Sequence, residues 1–118
     1  MHALKKTKDK RSWYHCTTYN HGDKVTFDPQ DDGINRGDGE PMIARTCVGP
    51  RISNCLAALP YIRNAEIYVY RTARRIFAHH PFQVMDSKVT REKWIIKQVR
   101  LVKIDNRFSQ WSWQRDRM

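Results

Sequence analysis

No stretch of this 118-residue chain holds about eighteen consecutive apolar residues, so no segment is long enough to cross a bilayer as a helix. The Lys-rich beginning also lacks the apolar segment of a secretory signal. The chain is therefore read as a soluble, cytoplasmic protein without a membrane partner. Cysteine is scarce and odd in number, at Cys16, Cys47 and Cys55, which argues against a disulfide framework and for reduced thiols. No Cys-x-x-Cys pair accompanies His79-His80, and Asp28, Asp31, Asp32 and Asp38 lack calcium-loop spacing, so no metal is expected. Acid is short too, with 12 Asp and Glu against 22 Lys and Arg, for a net charge of +10.

That charge is unevenly placed. Residues 1–11 carry five basic side chains against Asp9, a sum of +4; residues 23–40 carry Lys24 and Arg36 against six acids, a sum of −4. Residues 41–118 carry fifteen basic against five acidic side chains, a sum of +10. Such a field draws in polyanions: a nucleotide, a nucleic acid or an acidic protein surface. The first eleven residues hold little that could be buried and are expected to be a flexible basic arm, with residues 12–118 as one domain.

The pattern predicts many short strands and few helices. Trp13 to Thr18 reads as a strand, because aromatic and β-branched residues dominate it, and it carries His15 and two hydroxyls where aliphatics would serve a core. Lys24 to Phe27 is a second strand. Gln30 to Pro41 is a polar surface loop with three glycines and four acids, either a lid or a disordered segment. Met42 to Val48 forms a strand ended by Gly49-Pro50, after which Ser53-Asn54 can cap a short helix that stops near Pro60. In residues 65–72 the two-residue period sends Ile67 and Val69 to one face and Tyr68 and Tyr70 to the other. A second short helix is expected within residues 72–80, a strand at Phe82 to Met85, and further strands from Trp94 and over Gln98 to Ile104. The fold class is α+β: a twisted, mostly antiparallel sheet with one or two short helices.

Taken singly, His15 is a satisfied histidine and Glu92 a solvated charge. Their order along the chain says more. Tyr14-His15-x-Thr17 on a first strand, Thr46-Cys47-Val48-Gly49-Pro50 leading through Ser53 into a helix, and Glu92 before the closing strands together resemble the ADP-ribosyltransferase fold. Within it the nearest branch holds poly-ADP-ribose polymerases and RNA 2′-phosphotransferases. Pro50-Arg51-Ile52-Ser53-Asn54-Cys55-Leu56-Ala57-Ala58-Leu59-Pro60-Tyr61 and Val89-Thr90-x-Glu92-x-Trp94 also resemble small bacteriophage and bacterial proteins.

The resemblance implies a protein, phage-encoded in that case, that binds NAD or a related nucleotide and modifies or binds a host macromolecule. It implies that His15 and the Thr17 hydroxyl hold a ribose, that Ser53 lies in the turn near the nicotinamide, and that Glu92 grips the nicotinamide ribose and steers the incoming nucleophile. Cys16 stands where a glycine often follows the histidine, and the aromatic that stacks on nicotinamide falls near Cys47 or is supplied by Tyr61. Chemically, a carboxylate beside the ribose suits bond cleavage that builds positive charge there. The residues also support a different class, a non-enzymatic basic module for nucleic acid or an acidic protein. Arg71, Arg74, Arg75, Lys93 and Lys97 supply charge for it, while Tyr68, Tyr70, Trp94, Trp111 and Trp113 supply stacking faces.

Overall fold

The computed structural model describes residues 4–29, 44–59, 66–81 and 90–108. Among them run the strands β1 (Tyr14–Thr17), β2 (Lys24–Phe27), β3 (Thr46–Val48), β4 (Glu66–Thr72), β5 (Lys93–Ile95) and β6 (Val99–Phe108), with one helix, α1 (Ile52–Ala58), between β3 and β4. The first sheet has the order β1-β4-β6-β2 and the second pairs β3 with β5; every one of these pairings is antiparallel. This is the α+β domain that the strand-rich pattern predicts. The predicted strand at Phe82 to Met85, the loop 30–41, Tyr61, Trp111 and Trp113 lie outside the described residues.

The period of two in β4 decides the layering. Tyr70 joins Trp13, Val48, Ala78, Ile95, Val99 and Leu101 in a core between the two sheets, with Tyr68, Val25 and Phe27 packed against it. Ile67 and Val69 point the other way and meet Cys16, Cys55 and Leu56 under α1. A seven-residue helix is too short to hold itself together in water. It is fixed instead by burying Cys55 and Leu56, with Ile52 and Leu59 at the margin, at the i, i+3, i+4, i+7 spacing of one helical face.

Three expectations are corrected. Cys16 and Cys55 are joined as a disulfide with their Cα atoms 5.6 Å apart, within the range a disulfide spans, so only Cys47 is a free thiol. Residues 73–81 form no helix; they run extended between residues 5–11 and β5, with bridges from Ile76 to Arg11 and from His79 to both Lys6 and Trp94. The same bonds fasten the segment expected to be a loose arm. Thr7 is buried, its N–H donates to the Ala78 carbonyl (2.9 Å) and its hydroxyl accepts from the Ala78 N–H (3.2 Å). Composition missed this because backbone hydrogen bonds, rather than apolar side chains, do the fastening.

α1 also begins earlier than the Ser53-Asn54 cap implies. Arg51 is its N-cap residue and makes no side-chain capping bond, while Ser53 and Asn54 lie within the helix. Gly49 explains the tight entry. A Cβ there would sit 3.0 Å from the Asn54 Cβ and 3.3 Å from the Cys55 nitrogen, tighter than ordinary contact, so glycine suits the close approach of β3 and α1.

Candidate functional site

β1 lies at one edge of the four-stranded sheet, and there the two sheets part. Tyr14 and Gly49 exchange backbone hydrogen bonds of 2.9 and 2.8 Å, and beyond that bridge β1 and β3 diverge around a cleft. One part, about 140 Å³, is lined by His15, Cys47, Asn54, Leu59, Thr90 and Glu92. The adjoining part, about 590 Å³, shares His15 and Cys47 and extends past Thr17, Tyr19, Phe27 and Arg45. The larger volume falls within the roughly 300–1,000 Å³ usual for small-molecule sites.

His15 stands at the junction of the two parts. It follows Trp13 on the face turned toward β3, as strand alternation requires, and its Nδ1 lies 2.8 Å from the Cys47 carbonyl. A carbonyl only accepts, so Nδ1 carries the proton in this bond. Burial pushes the pKa of His15 below its ordinary value of 6.5; the bond to Cys47 opposes that shift and His21 adds to it. At neutral pH the ring is therefore uncharged, with Nε2 an acceptor. Phe27 packs edge-on to it, ring centroids 5.2 Å apart, and also to His21 at 4.7 Å. His21 is held in turn by Tyr70, whose hydroxyl accepts its N–H and donates to the Gly22 carbonyl.

Glu92 enters from the second sheet. Thr90 is buried, and its hydroxyl accepts the Glu92 N–H at 3.3 Å across Arg91, which adopts a φ of 53° that non-glycine residues rarely take. This turn, just before β5, aims the Glu92 side chain into the cleft. The Trp94 indole N–H donates to Glu92 Oε2 at 2.5 Å, and the Cys47 thiol donates to the same oxygen at 3.5 Å. Among the described residues none bonds Oε1. Arg45 lies over the Trp94 ring, 4.0 Å from its centroid, and braces the indole that orients Glu92.

Cys47 retains solvent contact as a residue, yet its sulfur is largely surrounded by protein. Burial first, and then the Glu92 carboxylate, push its pKa up to about 12 against the opposing influence of Arg45. It is a thiol donor here and no nucleophile. Asn54 also lines the cleft beside Glu92, and among the described residues its buried side-chain oxygen has no hydrogen-bond partner.

The predicted residues are thus partly gathered. His15 and Glu92 share one cavity, and Thr17 lines the adjoining part. Ser53 is exposed and lines neither; its neighbour Asn54 lines the narrow part instead, since α1 starts at Ile52. The basic residues also divide. Arg74 and Lys97 line a groove elsewhere on the domain, and Arg71 lies on β4 nearby. Arg75 instead donates to the Lys10 carbonyl at 3.0 Å, and the Lys93 ammonium bonds the Arg91 and Glu92 carbonyls. Trp94 and Tyr70 are fully buried, so neither is a stacking face for bases. Neither a protein-family model, a curated protein nor a solved structure matches this chain.

Proposed function

We propose that the chain is a divergent ADP-ribosyltransferase-like protein that binds NAD or a related nucleotide in the cleft between β1 and β3. The observation that carries this reading is the convergence of His15 from β1 and Glu92 from the turn before β5 on a single concavity. The donor set fits such a ligand. His15 Nε2 accepts from a ribose hydroxyl, the Thr17 hydroxyl offers a second contact, and Glu92 Oε1 accepts from the other ribose. Asn54, with an amide group lacking a partner for its oxygen, suits the carboxamide of nicotinamide. Phe27 and Tyr19 give the wide part an aromatic wall in place of the stacking residue expected near Cys47.

Bound NAD would supply a glycosidic bond whose breaking leaves positive charge on the ribose carbon. Glu92 provides the fixed negative charge beside that carbon, held by Trp94 and Cys47 without reorganisation. The neutral His15 holds the ligand without placing a second cation near the developing one. Release of nicotinamide from NAD, followed with and without candidate host macromolecules as acceptors, tests the reading. Wild-type protein is expected to release it, and Glu92→Gln to slow release roughly 10²- to 10³-fold. No release above the uncatalysed rate with any acceptor overturns the transferase reading.

A further inference from the structure

Among the described residues, the face of the four-stranded sheet that α1 occupies is only partly covered. α1 packs over β1 and β4, whereas β6 and β2 present a second surface beside it. Register places Arg71, Val102 and Lys24 side by side across β4, β6 and β2. Two residues along, the Ala73 N–H donates to the Arg100 carbonyl at 2.9 Å and Arg100 pairs with Thr26, so Ala73, Arg100 and Thr26 form a second row. Between these rows Val25 and Leu101 point the other way, into the core that faces the second sheet.

The rows floor a shallow groove of two adjoining hollows, about 420 and 360 Å³, that share Ala73 and Arg100. Lys24, Arg74, Lys97 and Arg100 line it and, among the described residues, no carboxylate does; at the rim Asp28 accepts from Gln98. Among the described residues none of these four cations, nor Arg71, is shown in an ion pair. Five like charges brought together from three strands and two connections raise one another's energy in the free protein, and a ligand of regularly spaced negative charge relieves that.

We propose that this groove binds the phosphodiester backbone of single-stranded nucleic acid. Three of the five cations are arginines, whose planar fork matches phosphate oxygens, and Thr26 adds a hydroxyl. The floor is Ala73, Val102 and Ile76, with no aromatic anchor among the described residues of the kind that concentrates energy in protein interfaces. Recognition therefore rests on backbone charge and is indifferent to base sequence. Thr26 borders both this groove and the wide part of the nucleotide cleft, but Lys24 and Arg100 line the groove alone and project from the opposite face of the sheet from Phe27 and His15.

Fluorescence anisotropy of the full chain with a labelled single-stranded RNA of mixed sequence tests this. Five phosphate contacts at about −0.7 each give a slope near −3.5 in log affinity against log salt, roughly a 100-fold loss between 50 and 200 mM. Arg100→Gln should lower the slope by about 0.7, and Arg71→Gln with Arg100→Gln by about 1.4. Lys8→Gln, which removes one exposed charge outside the groove, should not weaken binding comparably. No binding at 50 mM salt, an equal effect of Lys8→Gln, or equally effective competition by polyglutamate overturns the proposal, the last in favour of an acidic protein partner. The NAD-dependent stabilisation of Arg100→Gln is measured alongside. It stays at the wild-type value whether or not RNA binds, so failure of one reading is separable from failure of the other.

Discussion

Breaking the Cys16–Cys55 disulfide should cost this domain a large part of its stability. The two residues are 39 apart in sequence, and closing a loop of that length removes about 13 cal/mol/K of entropy from the unfolded chain, or about 4 kcal/mol at 25 °C. Small domains are stable by only about 5–15 kcal/mol in total, and for 118 residues the loss corresponds to a melting temperature lower by roughly 15 °C. Reduction also acts locally, because Cys16 neighbours His15 on β1 and Cys55 neighbours Asn54 on α1. The helix is short and its first turn has no side-chain cap, so once uncoupled from β1 it should fray before the sheet does. Urea unfolding with and without a thiol reductant measures the difference, and Cys16→Ala with Cys55→Ala repeats it without reductant. Thiol titration in denaturant should find one free thiol without reductant and three with it. Three free thiols at the outset, or a loss under about 1 kcal/mol, would refute the reasoning.

Other perturbations probe the cleft. His15 titrates below 6.5 in the folded chain, so between that lowered value and 6.5 the unfolded state binds a proton that the native state does not. The stability from His15 is complete above about pH 6.5 and lost as pH falls; the shifts of His79 and His80 have the same sign, so His15→Gln should flatten the pH profile only in part. Stabilisation by NAD should fall over the same range, because a protonated ring has no acceptor. Gly49→Ala drives a Cβ against Asn54 and the Cys55 nitrogen and should destabilise by about 1–3 kcal/mol in chemical denaturation. Trp94→Phe keeps an aromatic ring in the core and removes the N–H donated to Glu92; stability should drop by about 1.5–3 kcal/mol and the NAD-dependent shift should shrink.

Much of this architecture is written locally. The alternation of Ile67 and Val69 against Tyr68 and Tyr70 identifies β4 and both of its faces, and the strand expected over Gln98 to Ile104 sends Val99 and Leu101 into the core. Long-range placement was less legible. Nothing near Cys16 points to Cys55, since the pairing depends on α1 folding back over β1. The ten-residue β6 exceeds its apolar stretch and carries a bulge, where Tyr70 pairs with Lys103 but Val69 with Asp105, leaving Ile104 as the extra residue. For the cleft, the resemblance to the ADP-ribosyltransferase fold brought His15 and Glu92 forward. Asn54 was missed because an asparagine before an apolar run is read as a cap. Trp94 reads as a stacking face and Cys47 as the place of the aromatic that stacks on nicotinamide, whereas both side chains bond a carboxylate, two residues from one and across a strand pair from the other.

The central claim, that His15 and Glu92 form one nucleotide site, is tested most directly by the thermal shift that NAD produces in wild type, His15→Ala, Glu92→Gln and the double variant. At a tenfold excess over its dissociation constant the ligand stabilises wild type by about 1.4 kcal/mol, near 5 °C for a chain of this length. Each single variant should lose most of that shift, and the double variant should lose less than the sum of the two, as residues sharing one ligand do. No shift in wild type with millimolar NAD or ADP-ribose, or a shift that both single variants retain, contradicts the account.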